Sequence, residues 1–104
     1  MTGVTGLVRV VTSSMTLIEA YHGKFPYAAW EWTLSHVVVE PVTEDVANAA
    51  VSLLRAAGLH GHKYAVDAAL AVIAGRQRGL VTVFTSDEDD MAKLCPPQVM
   101  VRRV

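Results

Sequence analysis

Short β-branched runs alternate with capped helical segments along this chain, and that alternation constrains the fold more than any other feature. The clearest helix is predicted from Thr43, whose hydroxyl suits an N-cap, with Glu44 and Asp45 at the positive end of the helix dipole. Val46, Ala50, Leu53, Leu54 and Ala57 recur at helical spacing, and Gly58 stands at the expected stop. A loop over residues 59–62 leads to a second long helix, predicted over residues 63–78 and ended by Gly79. That helix is apolar on nearly every face from Ala65 to Ala74, as for a helix packed on a sheet and covered on its other sides.

Before these helices, residues 7–11 read as a strand. Thr12, Ser13 or Ser14 could then cap a helix through Met15, Leu17, Ile18 and Glu19, and Gly23 and Pro26 close that segment. Residues 27–35 read as a short helix and residues 37–40 as a buried strand bounded by Pro41. Later, residues 80–85 form a strand. Ser86 or Asp87 caps a short helix through Leu94, Pro96 and Pro97 break it, and residues 99–101 form a last strand. Connections of this length permit crossovers, so the expected fold class is α/β, a parallel sheet flanked by helices.

The 104 residues suit a single domain, 1–104. With 52% apolar residues the chain is not of the disordered class. One cysteine, Cys95, cannot form an internal disulfide, which points to a reducing compartment. Nine basic against ten acidic residues leave a net charge of −1, so phosphate affinity would need a local patch or a bound cation. No cationic segment followed by an apolar stretch opens the chain, and no apolar run reaches the ~18 residues of a membrane span. The expectation is a cytoplasmic protein without a membrane partner.

Three acidic features stand out. The strand over residues 80–85 delivers Ser86, Asp87, Glu88, Asp89 and Asp90 to the carboxyl edge of the sheet, where ligands gather in open parallel sheets. Such a run equally suits a solvated helix start. Asp67 falls in the first predicted turn of the most apolar helix, between Val66 and Ala68. A carboxylate there is costly unless paired, bonded to the backbone N–H groups of a helix start, or bound to a metal. Glu19 ends the run Met15-Thr16-Leu17-Ile18 as an acid on an otherwise apolar helix, though a surface place would suit it as well. Two unit charges ~5 Å apart repel by about 3 kcal/mol at an effective dielectric of 20. Several acids at one edge would therefore call for a divalent cation, and all-oxygen ligation favours magnesium or manganese over zinc. A hydrated cation held by carboxylates polarises a phosphodiester and activates water.

The segments Thr16-Leu17-Ile18-Glu19, Asp67-Ala68-Ala69 and Thr85-Ser86-Asp87-Glu88-Asp89-Asp90 resemble, in order and spacing, the motifs of PIN domains. Within that superfamily they are most similar to VapC-type toxin ribonucleases. The lead-in from Gly58 to Asp67 resembles that of one bacterial branch, and the likeness runs from about Val10 to the end of the chain. The resemblance implies a PIN-like parallel sheet and Mg2+- or Mn2+-dependent hydrolysis of RNA. Glu19, Asp67 and Asp87 would be the metal ligands, Asp90 a further catalytic acid, and Thr85 or Ser86 would orient a water or a carboxylate. It also implies a homodimer and a cognate antitoxin as partners. The family opens with a strand ending in aspartate, which this chain does not match. If residues 7–11 stood in for that strand, Thr12 or Ser13 would take the acid's place. The expectation is thus a PIN-like domain lacking the family's first strand, active or acting by protein–protein binding.

Other candidates are weaker. His60 and His62 with Asp67 could be a zinc site, but no cysteine pair or H-E-x-x-H accompanies them; beside an active site they could contact phosphate or tune a neighbour's pKa. Trp30 and Trp32, two apart, cannot share a helix face, so one is expected in the core and the other facing a partner. Lys24, Arg76, Arg78, Arg102 and Arg103 could flank an RNA path or simply solvate the surface. Cys95 lacks a nearby histidine in sequence and makes a poor nucleophile.

Overall fold

The computed structural model describes residues 11–21, 26–85 and 87–103. Within them the order is β1 (Val11–Ser13), α1 (Ser14–Ala20), α2 (Tyr27–His36), β2 (Val38–Glu40), α3 (Glu44–Ala57), α4 (Gly61–Gly75), β3 (Val81–Thr85), α5 (Glu88–Leu94) and β4 (Val99–Arg103). The chain is mixed α/β, and its strand pairings are parallel. β1 pairs with β2 through Val11–Val38 and Ser13–Glu40, and β3 with β4 from Val81–Val99 to Thr85–Arg103. The expected single sheet is corrected: the described strands form two separate two-stranded sheets. Periodicity marks which residues are extended but not which strands become neighbours.

α3 follows its sequence closely. The Thr43 hydroxyl accepts the Val46 N–H at 3.2 Å. At the other end Gly58 takes φ +69°, a left-handed conformation that glycine adopts without a Cβ clash, and its N–H reaches the carbonyls of Leu54 and Arg55. Only the three residues Gly58, Leu59 and His60 separate α3 from α4, so the helices return alongside each other. Arg76, just past the end of α4, bonds Asp45 at the start of α3 at 2.6 Å.

α4 begins at Gly61, two residues before the sequence expectation, and ends at Gly75, three before it. Its early start is fixed by the Tyr64 N–H reaching the His60 carbonyl at 3.2 Å. At its end, Arg76 and Gln77 make tight bonds to the carbonyls of Ile73 and Ala74. α4 is the centre of the molecule, packed by α3, α1, α5, β1 and β3. Ala68, Ala69, Ala71, Ile73 and Ala74 are buried on it, and the small alanines let its neighbours approach closely. Ala68, Ala71 and Ala74 join Ala50, Leu54, Val83, Met91, Leu94 and Val99 in one core.

At the N-terminal side, residues 7–10 of the expected strand lie outside the described residues. The strand that is described runs through Thr12 to Ser13. Ser13 is fully buried, and its hydroxyl caps α1 by accepting the Thr16 N–H at 2.9 Å. The expectation that residues 37–40 form a buried strand is corrected as well. β2 covers Val38–Glu40, with Val38 exposed and its neighbours half-buried, because its sheet has just one other described strand and does not enclose it.

Candidate functional site

Asp67 lies on the seventh residue of α4, not in its first turn. The reading of Asp67 as a helix-start carboxylate bonded to free N–H groups is therefore overturned, since those groups belong to the first four residues. Its carboxyl is half-buried and its pKa is raised above the usual 3.8. Loss of solvation is the largest cause, followed by repulsion from Glu19, Asp87 and Asp90. The neighbours arrive on two other elements: Glu19 on α1, Asp87 as the N-cap of α5, and Asp90 in the first turn of α5. Three of the acids anticipated from the sequence thus bear on the fourth, Asp67, because α1 and α5 both pack on α4.

The strand-to-helix corner after β3 is held by the Thr85 hydroxyl, which accepts the Asp87 N–H at 3.0 Å. Thr85 therefore positions the backbone that carries Asp87. Ser86, the other expected helper, lies outside the described residues. Asp90 also pairs at 3.8 Å with Lys93, three residues on. Asp87, Glu88, Asp89 and Asp90 share with Arg103 the wall of a recess of about 240 Å³. Arg103 reaches it because β4 pairs Arg103 with Thr85. Glu19 and Asp67 are not among its walls, so recess and acid cluster meet only at Asp87 and Asp90.

Lys63, which the sequence reading passed over, belongs to the same neighbourhood. Its ammonium lies 5.2 Å from the Tyr64 ring centroid. Its pKa is raised, first by its bond with the Tyr64 side chain and also by the charges of Asp90 and Asp87. The signal that could have found it was its place four residues before Asp67, one turn away on the same helix face. Cys95 belongs here too: burial pushes its thiol pKa up, and the Asp67 charge adds to the effect. A thiol held in its neutral form is a poor nucleophile, as expected.

Among the described residues, no three His, Cys, Asp or Glu side chains gather closely enough to hold a metal ion. A closed zinc site built on His60, His62 and Asp67 does not fit that arrangement. Magnesium asks less of the protein: it keeps several waters and takes one or two carboxylates, and mutually repelling carboxylates suit it. Asp67 with Glu19 or Asp87 is a donor set of that kind.

Other sequence candidates are placed elsewhere. Trp30 is half-buried and meets Tyr21 edge-to-face at 5.3 Å between ring centroids, whereas Trp32 is exposed and stacks on His36 at 4.2 Å. Neither tryptophan belongs to the buried core, which corrects the expectation that one would. Arg76 is engaged with Asp45, away from the acids, and Lys24 lies outside the described residues. No described helix is long and apolar enough to cross a membrane. Compared with known proteins, the chain matches no family model, no curated protein and no solved structure.

Proposed function

We propose that this chain is a PIN-like, metal-dependent endoribonuclease that hydrolyses RNA phosphodiester bonds and serves as the toxin of a toxin–antitoxin pair. The observation that carries the reading is the convergence of Glu19, Asp87 and Asp90 on the half-buried Asp67, from two elements besides its own. Of the expected ligands Glu19, Asp67 and Asp87, Asp67 with Glu19 or Asp87 would hold a hydrated Mg2+ or Mn2+, and the remaining acids, Asp90 among them, would add negative charge beside it. When bound, the cation would polarise the scissile phosphate and lower the pKa of water. The protein's part is to hold that charge in place: α4 holds Asp67 half-buried beside the core, and the Thr85 hydroxyl fixes the backbone of Asp87. Substrate RNA, a cognate antitoxin and a homodimer are the partners this reading implies.

A second reading, a catalytically inactive relative that acts by protein–protein binding, is supported by a different observation. Ile18, Tyr21, Tyr27 and Trp32 on or beside α1 and α2 are exposed, between 58% and 77%. Large side chains of this kind are enriched where proteins meet.

The two readings separate on cation binding and cleavage. Magnesium and manganese are titrated into the protein and into Asp67→Asn, and RNA cleavage is followed beside them. Cation-dependent cleavage lost in the variant supports the nuclease. Absence of both cation binding and cleavage sinks it and leaves the binding protein.

A further inference from the structure

The charges that act on Asp67 are all negative. A divalent cation answers that excess at one point only. RNA brings a further negative charge with every nucleotide, and a protein of net charge −1 offers it no general attraction. A strand of RNA therefore needs a fixed positive group near the acids. That group must also stand clear of Asp67, the carboxylate common to both ligand pairs.

Three cations lie near the acidic start of α5. Lys93 is already paired with Asp90 at 3.8 Å, and Arg103 shares the wall of the recess with Asp87, Glu88, Asp89 and Asp90. Lys63 is placed differently. It is the third residue of α4, one turn before Asp67, so the two side chains leave the same helix face with Cβ atoms ~6 Å apart. Helical side chains lean over the turn that precedes them, so Lys63 extends away from Asp67 rather than toward it. Its ammonium answers to Asp90 and Asp87 on the neighbouring α5, and it is not among the charges that act on Asp67.

Lys63 is exposed, and among the described residues it forms no ion pair. What steadies it is Tyr64, which is half-buried against the core and bonds it through its side chain, with the ammonium 5.2 Å from the ring centroid. The ammonium is thus held at the rim of the acid cluster by a neutral partner. Its charge is screened by no carboxylate in direct contact, and its outer side is open to water.

We propose that Lys63 anchors the RNA, its ammonium taking an oxygen of the phosphate next to the scissile one. The inference rests on the nuclease reading and deepens it. The scissile phosphate belongs at the cation on Asp67, and Lys63 stands one helical turn along the same face, where the strand continues. An ammonium is a point charge with three rotatable donors, so it holds a phosphate without reading the base. The contact is the same before and during the reaction, and such uniform binding lowers KM while leaving kcat as it is.

The probe is a short single-stranded RNA of randomised sequence. Its binding is followed against salt in the Asp67→Asn background, and its cleavage with magnesium in the parent background. Lys63→Gln is expected to weaken binding about fivefold and to flatten the slope of log K against log salt by about 0.7, the share of one phosphate on a single strand. In cleavage it should raise KM by a similar factor with kcat unchanged. Lys63→Arg, which keeps the charge, should restore both readouts. Arg76→Gln, which removes a charge beside Asp45 and away from the acids, should change neither. If the parent cleaves RNA but Lys63→Gln binds with the same affinity and salt slope, the anchor is overturned and the nuclease reading stands. The anchor is equally overturned if Lys63→Gln lowers kcat at constant KM, if Lys63→Arg fails to rescue, or if Arg76→Gln has the same effect. A parent that neither binds nor cleaves RNA overturns both.

Discussion

Asp67 shows how a single residue carries tertiary information. Its carboxyl sits above the ordinary 3.8 through burial and three like charges, so the fold penalises its ionised form. The sign follows from linkage. Asp67 favours the folded state below its unfolded pKa, and that contribution is lost as pH rises through the raised folded value. Without divalent cation, Asp67→Asn should therefore melt at a higher temperature than the parent at pH 7, with the difference vanishing near pH 3. Thermal melts across pH, with equal melting at pH 7 as the adverse result, check this. Millimolar magnesium should raise the melting temperature of the parent and not of the variant, because a ligand stabilises only the state that binds it. Cys95 gives an independent readout of the same charge. Its thiol is held neutral partly by Asp67, so alkylation by iodoacetamide at pH 8 should run faster in Asp67→Asn. Unchanged labelling would place the two groups too far apart to interact. That Asp67 is unusual was legible in the sequence, as a charge within an apolar run. Its depth in the helix was not, because the helix starts where the backbone of Gly61 and His60 allows.

Helices were the most legible elements, and α3 shows why. Its boundaries depend on the local chemistry of Thr43 and Gly58, which acts within four residues of chain. Gly58→Ala should destabilise by about 1–2 kcal/mol, since alanine must then adopt φ +69°. Thr43→Ala should cost about 1 kcal/mol by removing the bond to the Val46 N–H. Gly61→Ala, by contrast, should be stabilising by up to about 1 kcal/mol. It lies in the first turn of α4, and a Cβ there meets only Leu54 Cδ1 at an ordinary 3.9 Å. Urea denaturation of the three variants tests the ordering, and a stabilised Gly58→Ala would contradict the cap. Strands were less legible. β2 and β1 were placed within a few residues, but the burial of β2 was overstated, because β-branched side chains mark extended backbone whether or not a second strand covers it.

At the scale of the whole molecule, stability is concentrated where α3, α4, α5 and the β3–β4 sheet meet. Met91 on α5 is fully buried in that core. Met91→Ala should cost about 2–5 kcal/mol, a large part of the ~5–15 kcal/mol by which domains are usually stable. Val51→Ala, at a position 53% exposed on α3, should change stability by less than about 0.5 kcal/mol. Chemical denaturation distinguishes them, and similar costs would mean the core lies elsewhere.

What the sequence determined by itself is local: where helices start and stop, which runs are extended, that the class is α/β, and which acids lie awkwardly among apolar neighbours. These depend on capping, glycine conformation and side-chain period, all set within a turn or two of chain. Only the tertiary structure decided that α1 and α5 bring Glu19, Asp87 and Asp90 to Asp67, and that the strands pair as two halves rather than one sheet. Those outcomes depend on which distant surfaces bury one another against α4, and the energy of that choice is shared by residues far apart in the chain.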